Sequence, residues 1–277
     1  MASLHDRIPG LFGDGAQRSL VRARAILYGR RHLLGETMSD QTIIGAQGDS
    51  SLRILSASAV RQAITACAEL FHAQCGQGAV ARFDTSGAIL RRLGEGETCD
   101  VTASSLDSLQ ELAGRGLLGG APVVMGVSRV ALGVRRDETP PDISTLEAFV
   151  RTLRAAPVIV RGDPAGGGTA GNHMQKVLER LGLIEELADR TILRVGGYNV
   201  MKEVAEGRAP FGLTQSTEIV AVEGVEIGAW LPDEVQLTTQ YAVALGRDAA
   251  PAARDFLVFL AQEPCRAAFD AAGFARP

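Results

Sequence analysis

From Leu52 onward, short apolar runs alternate with amphipathic stretches of helical period, and this alternation most limits what the chain can fold into. Residues 52–56 read as a strand. Residues 58–74 read as a helix, with Val60, Ile64, Cys67, Ala68 and Phe71 on one face and Ser58 as N-cap. Residues 79–83 form the next strand, 84–87 a tight loop, and 88–93 a second helix. A strand at 99–103 and a helix over 106–114 follow. Consecutive strands separated by whole helices run parallel, because the helix is the crossover that brings the chain back. The pattern recurs with strands at 127–135, 158–160, 191–195 and 211–214, and helices at 145–155, 172–181 and 199–206. A last strand at 238–245 precedes helices over 250–262 and from Pro264. The fold class is therefore α/β, in two units. The leftover C-terminal elements are free to rejoin the first, which gives one lobe from 50–125 plus 238–277 and a second from 126–237.

Charge is unevenly spread. The 277 residues carry a net −4, which argues against a nucleic-acid surface. Residues 1–37 hold six arginines against three acids, leaving the rest near −7. The expectation is a basic, poorly ordered leader over 1–49. Its best apolar run, 19–28, is interrupted by Arg22 and Arg24, so it makes a poor secretory signal, and the protein is expected in the cytoplasm. No apolar run has the length of a membrane span. Cys67, Cys75, Cys99 and Cys265 form no CxxC pair and the four histidines show no metal spacing, so neither metal nor cofactor is expected. The cysteines read as plain core residues.

Four strand-to-helix loops share one chemistry: 56–58, 84–87, 166–170 and 196–199. Each places glycine, alanine, serine or threonine just before a helix. A helix start exposes unpaired N–H groups and a partial positive charge, so small residues there let an anion approach the backbone. Neither glycine loop carries the lysine of a nucleotide-binding loop, and GxGxxG is absent. Each loop alone also reads as an ordinary cap or turn. Their number points to a small anionic ligand at the carboxyl ends of the strands.

These residues carry a resemblance. Ser56-Ala-Ser58-Ala-Val, Phe83-Asp-Thr-Ser-Gly-Ala-Ile-Leu-Arg-Arg-Leu93, Cys99-Asp-Val-Thr-Ala-Ser104, Gly162-Asp-Pro-Ala-Gly, Lys176-Val-Leu-Glu-Arg-Leu-Gly-Leu183 and the ending from Phe256 to Phe274 occur in order. Over 52–274 the sequence resembles the type 2 periplasmic solute-binding proteins, above all the molybdate-binding (ModA-like) group. The resemblance implies two lobes, each a mixed sheet flanked by helices, joined by two crossing strands and closing on a ligand between them. It further implies an oxyanion held by hydroxyls and backbone amides from five loops. The two serines fall on Ser58 and Ser86, the alanine near Ala170 and the valine on Val200. The fifth position, a tyrosine in that group, falls on Gln215, so the phenolic donor is missing there. Thr85, Ser104, Gly168, Thr169 and Asn199 complete the candidate ligand set.

Asp163-Pro-Ala-Gly-Gly-Gly-Thr-Ala-Gly-Asn-His173 also resembles a ModA-like subgroup that includes aconitate isomerases. That likeness implies an organic carboxylate ligand. Two functions stay open: a binding protein for a small anion, or an isomerase acting on an unsaturated carboxylate. The first meets an ABC permease only if exported, and a monomer is expected. For the second, His173 is the candidate base and Asp84 a second acid/base, since allylic proton transfer needs a group that takes and returns a proton. The alternatives are a helix-face histidine bonded to a backbone carbonyl and a turn aspartate. Glu218, shortly after Gln215, reads as an exposed loop carboxylate or one that reaches the cleft, Tyr198 as a lid or packing residue, Trp230 as inter-lobe packing, and Arg91-Arg92 as a solvated helix face or a ligand clamp.

Overall fold

A computed structural model describes residues 41–45 and 50–276. In chain order its strands are β1 (Gln41–Ile44), β2 (Leu52–Ala57), β3 (Ala79–Asp84), β4 (Val101–Ser105), β5 (Val123–Arg135), β6 (Ile159–Gly162), β7 (Thr191–Arg194), β8 (Phe211–Gln215), β9 (Val225–Trp230) and β10 (Thr238–Leu245). The helices are α1 (Arg61–Cys75), α2 (Ser86–Gly94), α3 (Leu106–Gly114), α4 (Leu146–Ala155), α5 (Thr169–Arg180), α6 (Ile184–Leu187), α7 (Gly197–Ala205), α8 (Ser216–Val220), α9 (Pro251–Leu260) and α10 (Glu263–Ala271).

The strand order is β1-β3-β2-β4-β10-β5-β8-β6-β7, with β9 also paired to β5. The pairs β2–β3, β2–β4, β6–β7 and β6–β8 are parallel, as the helical crossovers require. β10 runs antiparallel between β4 and β5. β5 belongs to both halves: residues 123–129 pair with β10, and residues 130–135 pair with β8 and β9. The fold is the mixed, two-lobed α/β architecture that the sequence implied. One buried apolar cluster draws on residues 44–112 and 241–274. Two others draw on 130–235. The C-terminal helices are stitched into the first half by rings: Phe71 lies 5.3 Å from both Phe256 and Phe259. Tyr241 meets the edge of Phe274 at 5.7 Å.

Two strands were not legible. β9 (VEIGAW) is broken by Gly228 and preceded by Gly224, which hid its run, yet it pairs along the second half of β5. β1 falls inside the stretch expected as a leader and pairs antiparallel with β3. The remainder of that leader lies outside the described residues. Two helices begin earlier than their apolar pattern suggested. α5 starts at Thr169 and α7 at Gly197, because both use small residues for their first turn.

A surface-to-core ion cluster fixes α7. Glu203 is buried between Arg208 and Arg194, with Arg194 Nε donating at 2.8 Å. Hydrogen bonds from Arg208, then Arg194, outweigh burial and hold its carboxyl at about 2 against an ordinary 4.5. A carboxylate whose folded value is depressed stabilises the fold above its unfolded value, and that contribution is lost as pH falls towards the folded value. Urea midpoints are therefore expected to drop between pH 4.5 and 2, and Glu203→Gln is expected to flatten that drop.

Candidate functional site

All four loops singled out in the sequence meet at one place. A small inner cavity of about 30 Å³ is walled by Ala57–Ala59, Thr85–Ser86, Gly168–Gly171 and Gly196–Gly197. These are the lead-in to α1 and the first residues of α2, α5 and α7. Gly162, Asp163, Thr214, Gln215, Glu218 and Tyr241 complete the wall. That volume matches one or two water-sized groups, about the head of one carboxylate. A larger cavity of about 480 Å³ shares Ser58, Thr85 and Gly196 and adds Arg61, Arg82, Asp84, Arg92, Tyr198 and Asn199.

The donors are ordered by the helix starts. Thr85 caps α2, accepting the Ala88 N–H at 3.2 Å, while its hydroxyl donates across the cleft to the Gly166 carbonyl at 2.5 Å. The Gly87 N–H donates to the Gly167 carbonyl at 3.1 Å, so the two halves touch backbone to backbone. The Ser86 hydroxyl oxygen accepts the Ser105 N–H at 3.4 Å, which leaves its proton for the cavity. Ser58 lies one residue inside the helical lead-in and caps nothing; its hydroxyl donates to the Asp84 carbonyl at 3.2 Å. Gly168, Thr169 and Ala170 form the first turn of α5.

Several candidates lie elsewhere. His173 lines neither cavity: its Nε2 meets the Val235 carbonyl at 2.8 Å. A carbonyl only accepts, so Nε2 carries the proton, and the histidine ties α5 to the chain returning towards β10. His173→Ala is expected to cost about 1 kcal/mol of stability and to leave ligand-induced stabilisation unchanged, both read by thermal denaturation. Asp84 lines the outer cavity and is engaged by Arg92 at 3.1 Å and the Thr85 N–H at 2.8 Å. Val200 is fully buried in the core, since α7 begins earlier and turns it inward. Asn199 is confined to the outer cavity and donates to the Val195 carbonyl at 2.9 Å. Ser104 is buried and lines neither cavity, its hydroxyl without a partner among the described residues; the backbone N–H of the next residue, Ser105, is what reaches Ser86. Arg92 is no solvated face residue: Glu97 takes its Nε at 2.6 Å, and its remaining edge meets Asp84. Trp230 is 44% exposed, with Arg129 stacked 5.1 Å from its ring centre. Cys75 is exposed, whereas the other three cysteines are buried.

Two residues gain importance. Glu218 is buried, not exposed. Its Oε1 accepts the Gly197 N–H at 3.0 Å and its Oε2 the Thr214 hydroxyl at 2.6 Å. Burial pushes its carboxyl above the ordinary value, against the pull of these hydrogen bonds. α8 was too short to register as a helix in the sequence, so Glu218 read as loop. Tyr241, on β10 and not among the sequence candidates, brings a phenol to the inner cavity and hydrogen-bonds Thr169. Burial, then the Glu218 charge, holds it far above its usual range, so it stays a protonated donor. Gln215 also lines the inner cavity: its Nε2 donates to Thr239 Oγ1 at 2.9 Å and its Oε1 has no partner among the described residues. Among the described residues no cluster of His, Cys, Asp or Glu could hold a metal ion, and no helix is long and apolar enough to cross a membrane.

Comparison with known proteins places this geometry. Residues 52–275 match the family described as bacterial extracellular solute-binding protein. Aconitate isomerase of Pseudomonas sp is 28% identical over 245 residues, spanning 85% of this chain and 92% of that protein. The periplasmic molybdate-binding protein of Azotobacter vinelandii superposes with a TM-score of 0.68 at 19% identity, over 82% of this chain and all of its own. A periplasmic thiamin binding protein superposes at 0.66 with 14% identity, over 84% of this chain and 86% of its own. Structures at these identities share the fold. Ligands as different as molybdate and thiamin on that one fold leave the choice of ligand to the cleft residues.

Proposed function

The chain belongs to the bacterial extracellular solute-binding protein family, and from that premise we propose that its cleft binds a small organic di- or tricarboxylate. The observation that carries this is Glu218, a buried carboxyl in the wall of a cavity otherwise built from anion-binding helix starts. A fully ionised tetrahedral oxyanion would sit beside it with two like charges desolvated together. A carboxylic ligand can share one proton with Glu218, as paired carboxyls do. Ser86, Tyr241 and the first turns of α2 and α5 supply donors to one carboxylate. Gln215 serves either way, because turning its amide over exchanges which atom meets Thr239. At the outer cavity Arg61, Arg82 and Arg92 stand against Asp84 and the Glu97 that pairs with both Arg82 and Arg92, an excess of one positive charge for the remaining carboxylates.

A second reading, isomerisation of such a ligand, is favoured by the similarity to aconitate isomerase across nearly the full length of that protein. A thermal-shift screen of molybdate, tungstate, sulfate, citrate and both aconitates tests the first. A ligand at 100 times its Kd adds about 2.7 kcal/mol. Citrate or an aconitate is expected to raise Tm and molybdate to leave it unchanged. A molybdate response without a carboxylate response overturns the proposal.

A further inference from the structure

We propose that Glu218 is the proton-transferring group of this cleft, acting on an unsaturated carboxylic acid that bears an allylic C–H. The inference rests on the carboxylate-binding and isomerisation readings above and adds the catalytic residue to them.

Three titratable side chains face the inner cavity: Asp163, Glu218 and Tyr241. Asp163 is spent as a cap, its Oδ1 accepting the Ala165 N–H at 2.9 Å. Tyr241 holds its proton. Glu218 alone of the three is a buried carboxyl, and it makes no ion pair among the described residues. Two neutral donors, Gly197 N–H and Thr214 Oγ1–H, fix both of its oxygens against the cavity wall. A carboxylate taken out of water without a cation is a stronger base than one at the surface, which suits proton abstraction from carbon. The other sequence candidates are committed elsewhere, His173 to the Val235 carbonyl and Asp84 to Arg92.

The step balances without an oxidant or cofactor. Glu218 takes the allylic proton; the C–H electron pair spreads over the double bond into the adjacent carboxylate, giving a dienolate. The charge gathers on oxygens held by the Ser86 hydroxyl and the first turn of α5, where helix N–H groups stabilise it. Glu218, now a carboxylic acid, returns the proton. Return to the far carbon moves the double bond. Return to the original carbon after rotation about the former double bond gives the other geometric isomer. The enzyme group is regenerated in both cases.

The test uses the full chain with trans-aconitate and cis-aconitate in D2O, followed by proton NMR, with ligand stabilisation measured in parallel. Wild type is expected to wash deuterium into the allylic position and to interconvert the isomers. Glu218→Gln keeps the volume and an acceptor for the Gly197 N–H, and its NH2 meets the Thr214 hydroxyl, which can turn to accept. At saturating ligand it is expected to slow exchange at least about 100-fold, the lower end of what a positioned base supplies, and the parallel Tm titration separates weaker binding from lost exchange. If Glu218→Gln fails to fold, the wild-type pH profile decides: exchange must fall on acidification with a midpoint above the ordinary carboxylate range. Full exchange in Glu218→Gln, or a wild-type midpoint at or below that range, overturns the assignment. Aconitate binding with no exchange by wild type overturns it too, while leaving the binding proposal standing. Failure of both aconitates and citrate to bind takes down both.

Discussion

Replacing Gly197 with alanine is expected to empty the cleft of function and to loosen the fold around it. Gly197 opens α7, and its N–H holds Glu218 Oε1 at 3.0 Å. A β-carbon there would overlap both Thr214 Oγ1 and Glu218 Oε2. Its backbone angles are ordinary, so the glycine serves close approach, not a left-handed turn. Both overlapped groups are buried and bonded to each other, so neither has a free rotamer to retreat into. Overpacking of this kind costs about 1–3 kcal/mol. The ligand effect is larger in consequence, because Glu218 must leave the cavity wall: carboxylate affinity is expected to fall about 100-fold, which is about 2.7 kcal/mol. Thermal denaturation with and without citrate or aconitate reads both effects. Gly120→Ala is the control, since nothing lies within 4 Å of a β-carbon there, and it is expected to change stability by less than about 0.5 kcal/mol. Gly197→Ala with an intact ligand response would show that ligand binding does not depend on Glu218 keeping its place in the cavity wall.

What the sequence made legible follows the range of the forces involved. The four anion loops were readable because a helix start is local chemistry: small and hydroxyl residues at 56–58, 84–87, 166–170 and 196–197 declare themselves without tertiary information. Single positions inside the elements were not, because each depends on where an element begins. α7 starts at Gly197 rather than two residues later, and each residue turns a helix by about 100°. That offset carried Val200 from the ligand set into the core. His173 sits just over one turn, roughly 6 Å, beyond Thr169, far enough along α5 to pass the cavity and reach Val235. On β4 the contact to Ser86 is made by the backbone N–H of Ser105, which no side-chain pattern marks. The burial of Glu218, whose reach to the cleft the sequence left open, and the part of Tyr241 were hidden for another reason. Their role comes from β8, β10 and α7 meeting, and no local pattern announces a contact between residues 197, 218 and 241. The likeness to molybdate binders marked Gln215 as a lost phenol. The structure supplies a phenol from a different strand, so the two positions have to be read together.

The second large effect is expected at Gly87, and its signature is opposite signs for ligand-free stability and affinity. Gly87 lies in the first turn of α2 and faces Gly167 of the opposite half. A β-carbon on Gly87 would come within 2.8 Å of the Gly167 carbonyl oxygen and 3.1 Å of its Cα. Those are backbone atoms, and Gly167 is itself fixed at φ +69°, so no side-chain rotation relieves the contact. The halves must part instead, breaking the Gly87–Gly167 hydrogen bond and stretching the Thr85–Gly166 bond beside it. None of the three apolar clusters includes this contact. Alanine is also the better helix former by about 1 kcal/mol. Gly87→Ala is therefore expected to leave the ligand-free Tm unchanged or raised. Carboxylate affinity should move the other way. A ligand that needs the closed cleft binds with its intrinsic Kd divided by the closed fraction, so lowering that fraction tenfold weakens binding about tenfold. Gly87→Val, with a larger wedge and a poorer helix former, should weaken it further. Titration with citrate or aconitate, alongside small-angle scattering for the radius of gyration, separates this from simple damage. A wedge gives a stable, slightly expanded protein with weak binding. Normal affinity in Gly87→Val would mean that ligand does not require the two halves to meet at Gly167.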